Sequence, residues 1–305
     1  MPSKVHFPLA GGNQWAGALR FYDFNRPVGN VFYVYSVTGT DAAGGGRSPE
    51  TALKTIDYAV GLCTASNDDY IIALPGHVET ISAAGSLAVD VAGVTILGVG
   101  VGTKQPKLDF TAAASTVTMS AVNCVLDGFQ VEASFADVTS EIVVSGTDCV
   151  IRNCRFLEPT TDENALINIL GGGANTADNL LVENCQFRGL DALNTHGISL
   201  PSAAAGVIIR DNLFLGVFET AAIGAATAAV QIAILRNLIN NTSGDADECI
   251  NLAASSTGVI AYNGVGNSLG GGATTNITGG TTMTIIENYS TDKGDVQGVL
   301  DPVAT

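Results

Sequence analysis

The residues most able to do chemistry are few and scattered. His196 and Ser199 put a base and a hydroxyl on one short run, "THGISLPS". Acidic residues gather in three places: Asp162 with Glu163, Asp191 in the following turn, and Asp245, Asp247 and Glu248 in "DADEC". Asn175 and Asp178 share "NTAD". Hydrolysis of a polysaccharide needs two carboxylates at a set separation. Elimination needs a basic residue placed to take a proton from carbon. "DADEC" is the group that could hold calcium, but acidic turns in a chain of net charge −16 are ordinarily solvated surface. The chain has no CxxC pair for zinc and no G-x-x-x-x-G-K-[ST] loop for phosphate. The strings "LGGGANT" and "LGGGATT" mark turns. The sequence therefore predicts no catalytic residue, no metal ligand and no cofactor.

The bulk composition narrows the partners. Of 305 residues, 46% are apolar and 14% charged, which supplies a core and argues against disorder. Thirteen Lys and Arg stand against 29 Asp and Glu, so neither nucleic acid nor an anionic membrane is an expected partner. The longest apolar stretch, "AAIGAATAAVQIAIL", contains Thr227 and Gln231 and is too short to span a bilayer. The opening "MPSKVHFPLAGGNQWAGALR" lacks the apolar core of a signal peptide, so classical export is not expected.

A repeat positions everything else. "CVLDGFQV", "CVIRNCRF", "LLVENCQF", "VIIRDNLF" and "AILRNLIN" resemble one another, with weaker copies at "VTILGVG", "VIAYNGV" and "TIIENYS". Marker residues Ile96, Leu126, Ile151, Val182, Ile209, Leu235, Ile260 and Ile286 are separated by 30, 25, 31, 27, 26, 25 and 26 residues. Each unit holds short alternating apolar runs between Gly, Asn, Ser, Thr and Asp. Upstream runs such as "TVTMSA", "EIVVSG", "ALINIL", "HGISLP" and "CINLAA" supply further strands. Short strands repeating about every 27 residues make a solenoid. The fold class predicted is all-β: a right-handed, single-stranded parallel β-helix with two or three strands per coil.

Equivalent residues then stack about 4.8 Å apart. Asn153, Asn184, Asp211, Asn237 and Asn288 are expected to form one structural ladder at a bend. Phe156, Phe187 and Phe214 are expected to stack inside. Cys124 with Cys149, and Cys154 with Cys185, fall on adjacent coils within reach of a disulfide. Reduced core thiols are the preferred reading, and cross-links stay open.

Strand alternation assigns an outer face. The residues after the markers run Asp127, Arg152, Glu183, Arg210, a ladder of alternating charge. Those before them, Val125, Val150, Leu181, Ile208, Ile234, Val259 and Ile285, form an outward apolar stripe that needs a neighbour. That neighbour could be the chain's own arm, a sister subunit or another protein; a homo-oligomer, most simply a trimer, is expected.

The ends differ from the middle. In "SPETALKTIDYAVGLC", residues 48–63, Ser48 suits an N-cap, Pro49 a first helical position, and the apolar stripe a plug for the open core. Residues 1–30 form an extended arm carrying Trp15, Arg20, Phe21, Tyr22, Phe24 and Arg26, which suit either attachment or folding back over the solenoid. Residues 31–290 are the solenoid, and 291–305 an acidic cap or tail.

"VFYVYSVTGTDAAGGGRSPETALKTIDYAVGLC" followed by "DYIIALPGHVETI" resembles the opening of phage-encoded right-handed β-helix proteins. With the repeats, the resemblance spans about residues 31–290. It implies a virion structural protein, foremost a decoration protein on the outer capsid surface, assembled in the host cytoplasm, with the major capsid protein as partner. The alternative it implies is a tail-associated protein that binds or cleaves glycan. "THGISLPS" resembles the "GHG" segment of polygalacturonases and "NTAD" their "NTD" segment. Thr195 replaces a glycine, and the double-Asp and "RIK"-type segments are missing, so a non-enzyme is expected.

Overall fold

The computed structural model describes residues 29–172, 177–243, 248–267, 276–280, 282–290 and 298–300. The arm residues Trp15, Arg20, Phe21, Tyr22, Phe24 and Arg26, together with Asn175, Asp245 and Asp247, lie outside them.

The chain winds into an all-β solenoid of about eight turns, each giving one strand to each of three sheets. Ten strands stack in the first sheet, including Thr95–Gly98, Val125–Asp127, Val150–Arg152, Leu181–Glu183, Ile208–Arg210 and Ile232–Leu235. The second sheet includes Lys107–Phe110, Gln130–Ala133, Arg155–Leu157 and Gln186–Gly189; the third includes Ile142–Val144, Ile167–Gly171, His196–Ser199 and Ala221–Ala225. Neighbouring strands run parallel, except where Gly298–Leu300 closes antiparallel on Asn288–Ser290. Strands of two to six residues suffice because all but those at the sheet ends are paired on both sides and bury one face against the other two sheets.

Columns of like residues fill the interior. Phe156 and Phe187 stack with ring centroids 4.6 Å apart, and Phe187 and Phe214 at 4.4 Å, all fully buried. In the first sheet the inward column runs Ile71, Ile96, Leu126, Ile151, Val182, Ile209, Ile234, Ile260, Ile285. Two expected markers are thus one residue off: Leu235 and Ile286 face outward, while Ile234 is core and Ile285 packs against it. "AILRNLIN" presents two adjacent aliphatics, and only the register decides which one turns in.

The same slip corrects the ladder. A tight turn joins the first and second sheets, and its first residue has positive φ: Asn153, Asn184, Asp211, Arg236, Tyr262 and Glu287 lie between 47° and 60°. After glycine, Asn and Asp tolerate this region best. Asn153, Asn184 and Asp211 are exposed there. The buried ladder is the next position: Asn212, Asn237, Asn263 and Asn288, preceded by Cys154 and Cys185. Asn237 and Asn288 belong to it, and Asn212 and Asn263 were not expected in it. Each amide donates to a first-sheet carbonyl and accepts from the coil before it; Asn237 Nδ2 bonds Ile209 O and Asn263 Oδ1, both at 3.0 Å.

The plug is shorter than residues 48–63. A 3₁₀ turn at Pro49–Thr51 and a helix at Ile56–Val60 flank Leu53, which is extended and bridges to Val34. Thr55 Oγ1 caps the helix by accepting from Tyr58 N–H at 3.3 Å. Ile56, Ala59 and Val60 are buried in the core cluster, closing the first coil.

Candidate functional site

The outer face of the second sheet concentrates charged and amide groups. Inward residues Leu108, Val131, Phe156 and Phe187 anchor its strands in the core. Alternation turns Lys107, Gln130, Arg155 and Gln186 outward in one column. Asp109, Glu132, Leu157 and Arg188 form the adjacent column.

Lys107 is the hub. Its Nζ lies 3.0 Å from Glu132 Oε1 and 3.2 Å from Asp109 Oδ1. Burial opposes its charge, but the two carboxylates more than offset this and hold its pKa above the ordinary lysine value. Gln130 Nε2 donates to Glu132 Oε2, and Ser134 Oγ donates to Asp109 Oδ1 at 2.6 Å. Arg155 Nε reaches Gln186 Oε1 at 3.4 Å.

A cleft of about 330 Å³ opens where Lys107, Gln130 and Glu132 meet the loops at Gly76 and at Gly102–Gln105. Its floor is fixed. His77 Nδ1 accepts from Ser36 N–H at 3.0 Å, so its proton belongs on Nε2, which donates to Glu79 Oε2 at 2.9 Å. Glu79 also accepts from Ile56 N–H at 2.9 Å, tying the cleft to the plug helix. The site can bind through directed donors and acceptors. Its ammonium is not poised to take up a proton.

The sequence-predicted residues lie elsewhere. His196 sits in the third sheet, its ring over Gly224. Burial lowers its pKa to about 4. Thr195 Oγ1 gives its own proton to Leu166 O at 2.8 Å and lies 3.1 Å from His196 Nδ1, so Nδ1 carries the imidazole proton. Ser199, at the other end of the same strand, is buried. Asp191 and Asp178 accept backbone N–H groups of Leu193 and Ala205, and Glu248 bonds Asn251 and Thr278. Asp162 and Glu163 stay in their loop, Glu163 meeting Thr160 Oγ1 at 3.3 Å. Among the described residues no three His, Cys, Asp or Glu side chains gather as a metal group.

Of the expected interface residues, Val125, Val150, Leu181, Ile208 and Val259 are outward and at least partly exposed, with Ile208 at 38%. Ile234 is fully buried and Ile285 points inward, so both leave the stripe. The charge ladder pairs within the chain: Arg152 with Asp127 at 2.8 Å and Arg210 with Glu183 at 2.6 Å. Arg236 belongs to the turn column and pairs with Asp211 at 2.7 Å. Lys107, Asp109, Gln130 and Glu132 were missed. The signal available was the alternation within "KLDF" and "QVEA", two strands whose outer residues are all polar.

Comparison with solved structures gives the architecture its relatives. Pectate lyase Pel9A aligns with TM-score 0.61 at 14% identity, covering 86% of this chain and 69% of that one. The fold is a parallel β-helix. The alginate lyase from Paenibacillus sp. str. FPU-7 aligns at 0.54 and 14% identity, covering 80% of this chain and 96% of that one. The pectin methylesterase from Aspergillus niger aligns at 0.54 and 10% identity, covering 89% and 92%. No family model and no curated protein matches the chain. Among the described residues no helix is long and apolar enough to cross a membrane.

Proposed function

We propose that this β-helix binds a glycan along the outer face of its second sheet. The observation that carries the reading is Lys107 held between Asp109 and Glu132 beside the cleft, with Gln130, Arg155 and Gln186 on successive coils. Polyhydroxylated chains are recognised by such fixed, charge-assisted hydrogen bonds. Lys107 serves as a binding group rather than a general base, because the two carboxylates stabilise its charged form.

Pectate lyase Pel9A and the alginate lyase are named for polysaccharides, so polygalacturonate and alginate oligomers are the first ligands to try, with dextran oligomers as a neutral control. Calorimetric titration should detect one of them, and Lys107→Met should weaken that binding at least about ten-fold. No heat from either polygalacturonate or alginate oligomers, or binding indifferent to Lys107→Met, sinks the proposal. Release of unsaturated sugars or reducing ends would replace binding with cleavage.

The outward apolar column of the first sheet favours a second reading, a virion structural protein that meets a major capsid protein or sister subunits. Leu181→Arg with retention on purified particles tests it; retention unchanged by the substitution, or a chain that never associates with particles, overturns it.

A further inference from the structure

The first sheet turns two columns of side chains outward on four central coils. One is Val125, Val150, Leu181 and Ile208; the other is Asp127, Arg152, Glu183 and Arg210. One coil further out on either side, the second column continues as Leu97 and Leu235. None of these side chains is fully buried. Read along the solenoid, the second column is therefore apolar, minus, plus, minus, plus, apolar. Reversed, it keeps its apolar ends and inverts every sign.

We propose that this face is a homodimer interface, with a second copy packed antiparallel about a two-fold axis running along the strands between Val150 and Leu181. That operation sets Arg152 opposite Glu183 of the partner subunit and Asp127 opposite Arg210 of the partner subunit. It sets Val150 opposite Leu181 of the partner subunit and Leu97 opposite Leu235 of the partner subunit. On the four central coils every apolar side chain meets an apolar one, and every charge meets its opposite, as an isologous contact requires.

Other arrangements fit worse. A two-fold axis along the solenoid would exchange the columns and press Asp127 and Arg152 onto the partner's valines, burying charge against apolar surface. Elsewhere two copies of a chain of net charge −16 repel. On this face the two acids are already balanced by two arginines, through the Arg152–Asp127 pair at 2.8 Å and the Arg210–Glu183 pair at 2.6 Å. The six coils span about 24 Å, from five spacings of about 4.8 Å. The inference does not depend on what the second sheet binds.

A charge-swap experiment on the full chain decides it. Sedimentation equilibrium of the unaltered protein should show a monomer–dimer equilibrium. Arg152→Glu alone would face two acids across the axis, and Glu183→Arg alone two bases. Each should raise the dimer dissociation constant at least about ten-fold. Mixing the two variants should restore a heterodimer to within about three-fold of the original constant, because every cross-axis pair is again opposite in sign. Unchanged β-sheet circular dichroism identifies variants that remain folded; if either does not, Leu181→Arg replaces both and should abolish the dimer. A monomer throughout the concentration range, a trimer, or a mixture no tighter than the separate variants would overturn the proposal.

Discussion

Asn237 Nδ2 lies 3.0 Å from Asn263 Oδ1 on the next coil, and both side chains are buried. On its other side Asn237 Oδ1 accepts from the N–H and Nδ2 of Asn212, each at 3.0 Å. Asn237→Ala orphans polar groups on both neighbouring coils and should cost about 3 kcal/mol in chemical denaturation. Asn153, at the exposed turn position with φ 54°, should behave differently. Asn153→Gly suits that φ and loses only an exposed bond to Asp127, so its effect should stay within about 0.5 kcal/mol. Equal costs would contradict the assignment of the two columns.

Glu141 is a buried acid at the start of a third-sheet strand. Burial first, and then the carboxylates of Glu158 and Glu132, push its pKa up to about 8 against the hydrogen bond from Asn168 Nδ2 at 2.8 Å. An acid whose pKa is raised on folding favours the folded state below its unfolded value, and that advantage is lost as pH climbs through the folded value. Denaturation of the native chain should therefore show stability falling between about pH 4.5 and pH 8 on this account. Glu141→Gln carries no charge and should remove that component. Its advantage over the native chain should grow across the same window by a few kcal/mol, an order of magnitude set by about 1.4 kcal/mol per pKa unit. Parallel stability curves for the two proteins would refute a buried, proton-holding Glu141.

The repeat was readable because core columns recur in kind: Phe156, Phe187 and Phe214, or Ile151, Val182 and Ile209. Burial selects the same residue types on every coil. The slip at Ile234 came where that redundancy failed. Arg236 occupies a turn position that earlier coils fill with Asn or Asp, so Asn237 aligned by type with the wrong column. The short plug helix was unreadable for a similar reason: Leu53 fits an apolar helical stripe, but pairing with Val34 outcompetes the helix there. The candidate site left the weakest trace. Lys107, Gln130, Arg155 and Gln186 share a column yet differ in charge, and a binding face has no reason to repeat.

The cysteines give a chemical check on the core. Burial pushes the Cys63 thiol up to about 12. Its hydrogen bond with Cys124, followed by burial, raises Cys149, and burial first raises Cys185. Raised thiols react slowly, since the thiolate is the nucleophile. Ellman's reagent at pH 8 should find these three nearly silent in the folded chain, and all six cysteines reactive once it is unfolded without reductant. Two or four fewer thiols on unfolding would mean cross-links, for which Cys124–Cys149 and Cys154–Cys185 are the pairs on adjacent coils.

His196 fills the space that a side chain at Gly224 would need. A Cβ there would stand 2.6 Å from His196 Cδ2 and 2.7 Å from Nε2. Burial in this slot lowers the imidazole pKa to about 4, so the ring is neutral at pH 7. A histidine depressed on folding costs stability as pH falls from its unfolded value through the folded one, because the unfolded chain takes up the proton first. Gly224→Ala should expel the ring into solvent and return its pKa toward about 6.5, which carbon-13 NMR of the imidazole would follow. The loss of packing should destabilise the chain at pH 7 by about 1–3 kcal/mol. In His196→Ala the slot is empty, and adding Gly224→Ala should then cost much less. A double-mutant cycle with no coupling between the two positions, or an imidazole that already titrates near 6.5 in the native chain, would show that the ring does not lie over Gly224.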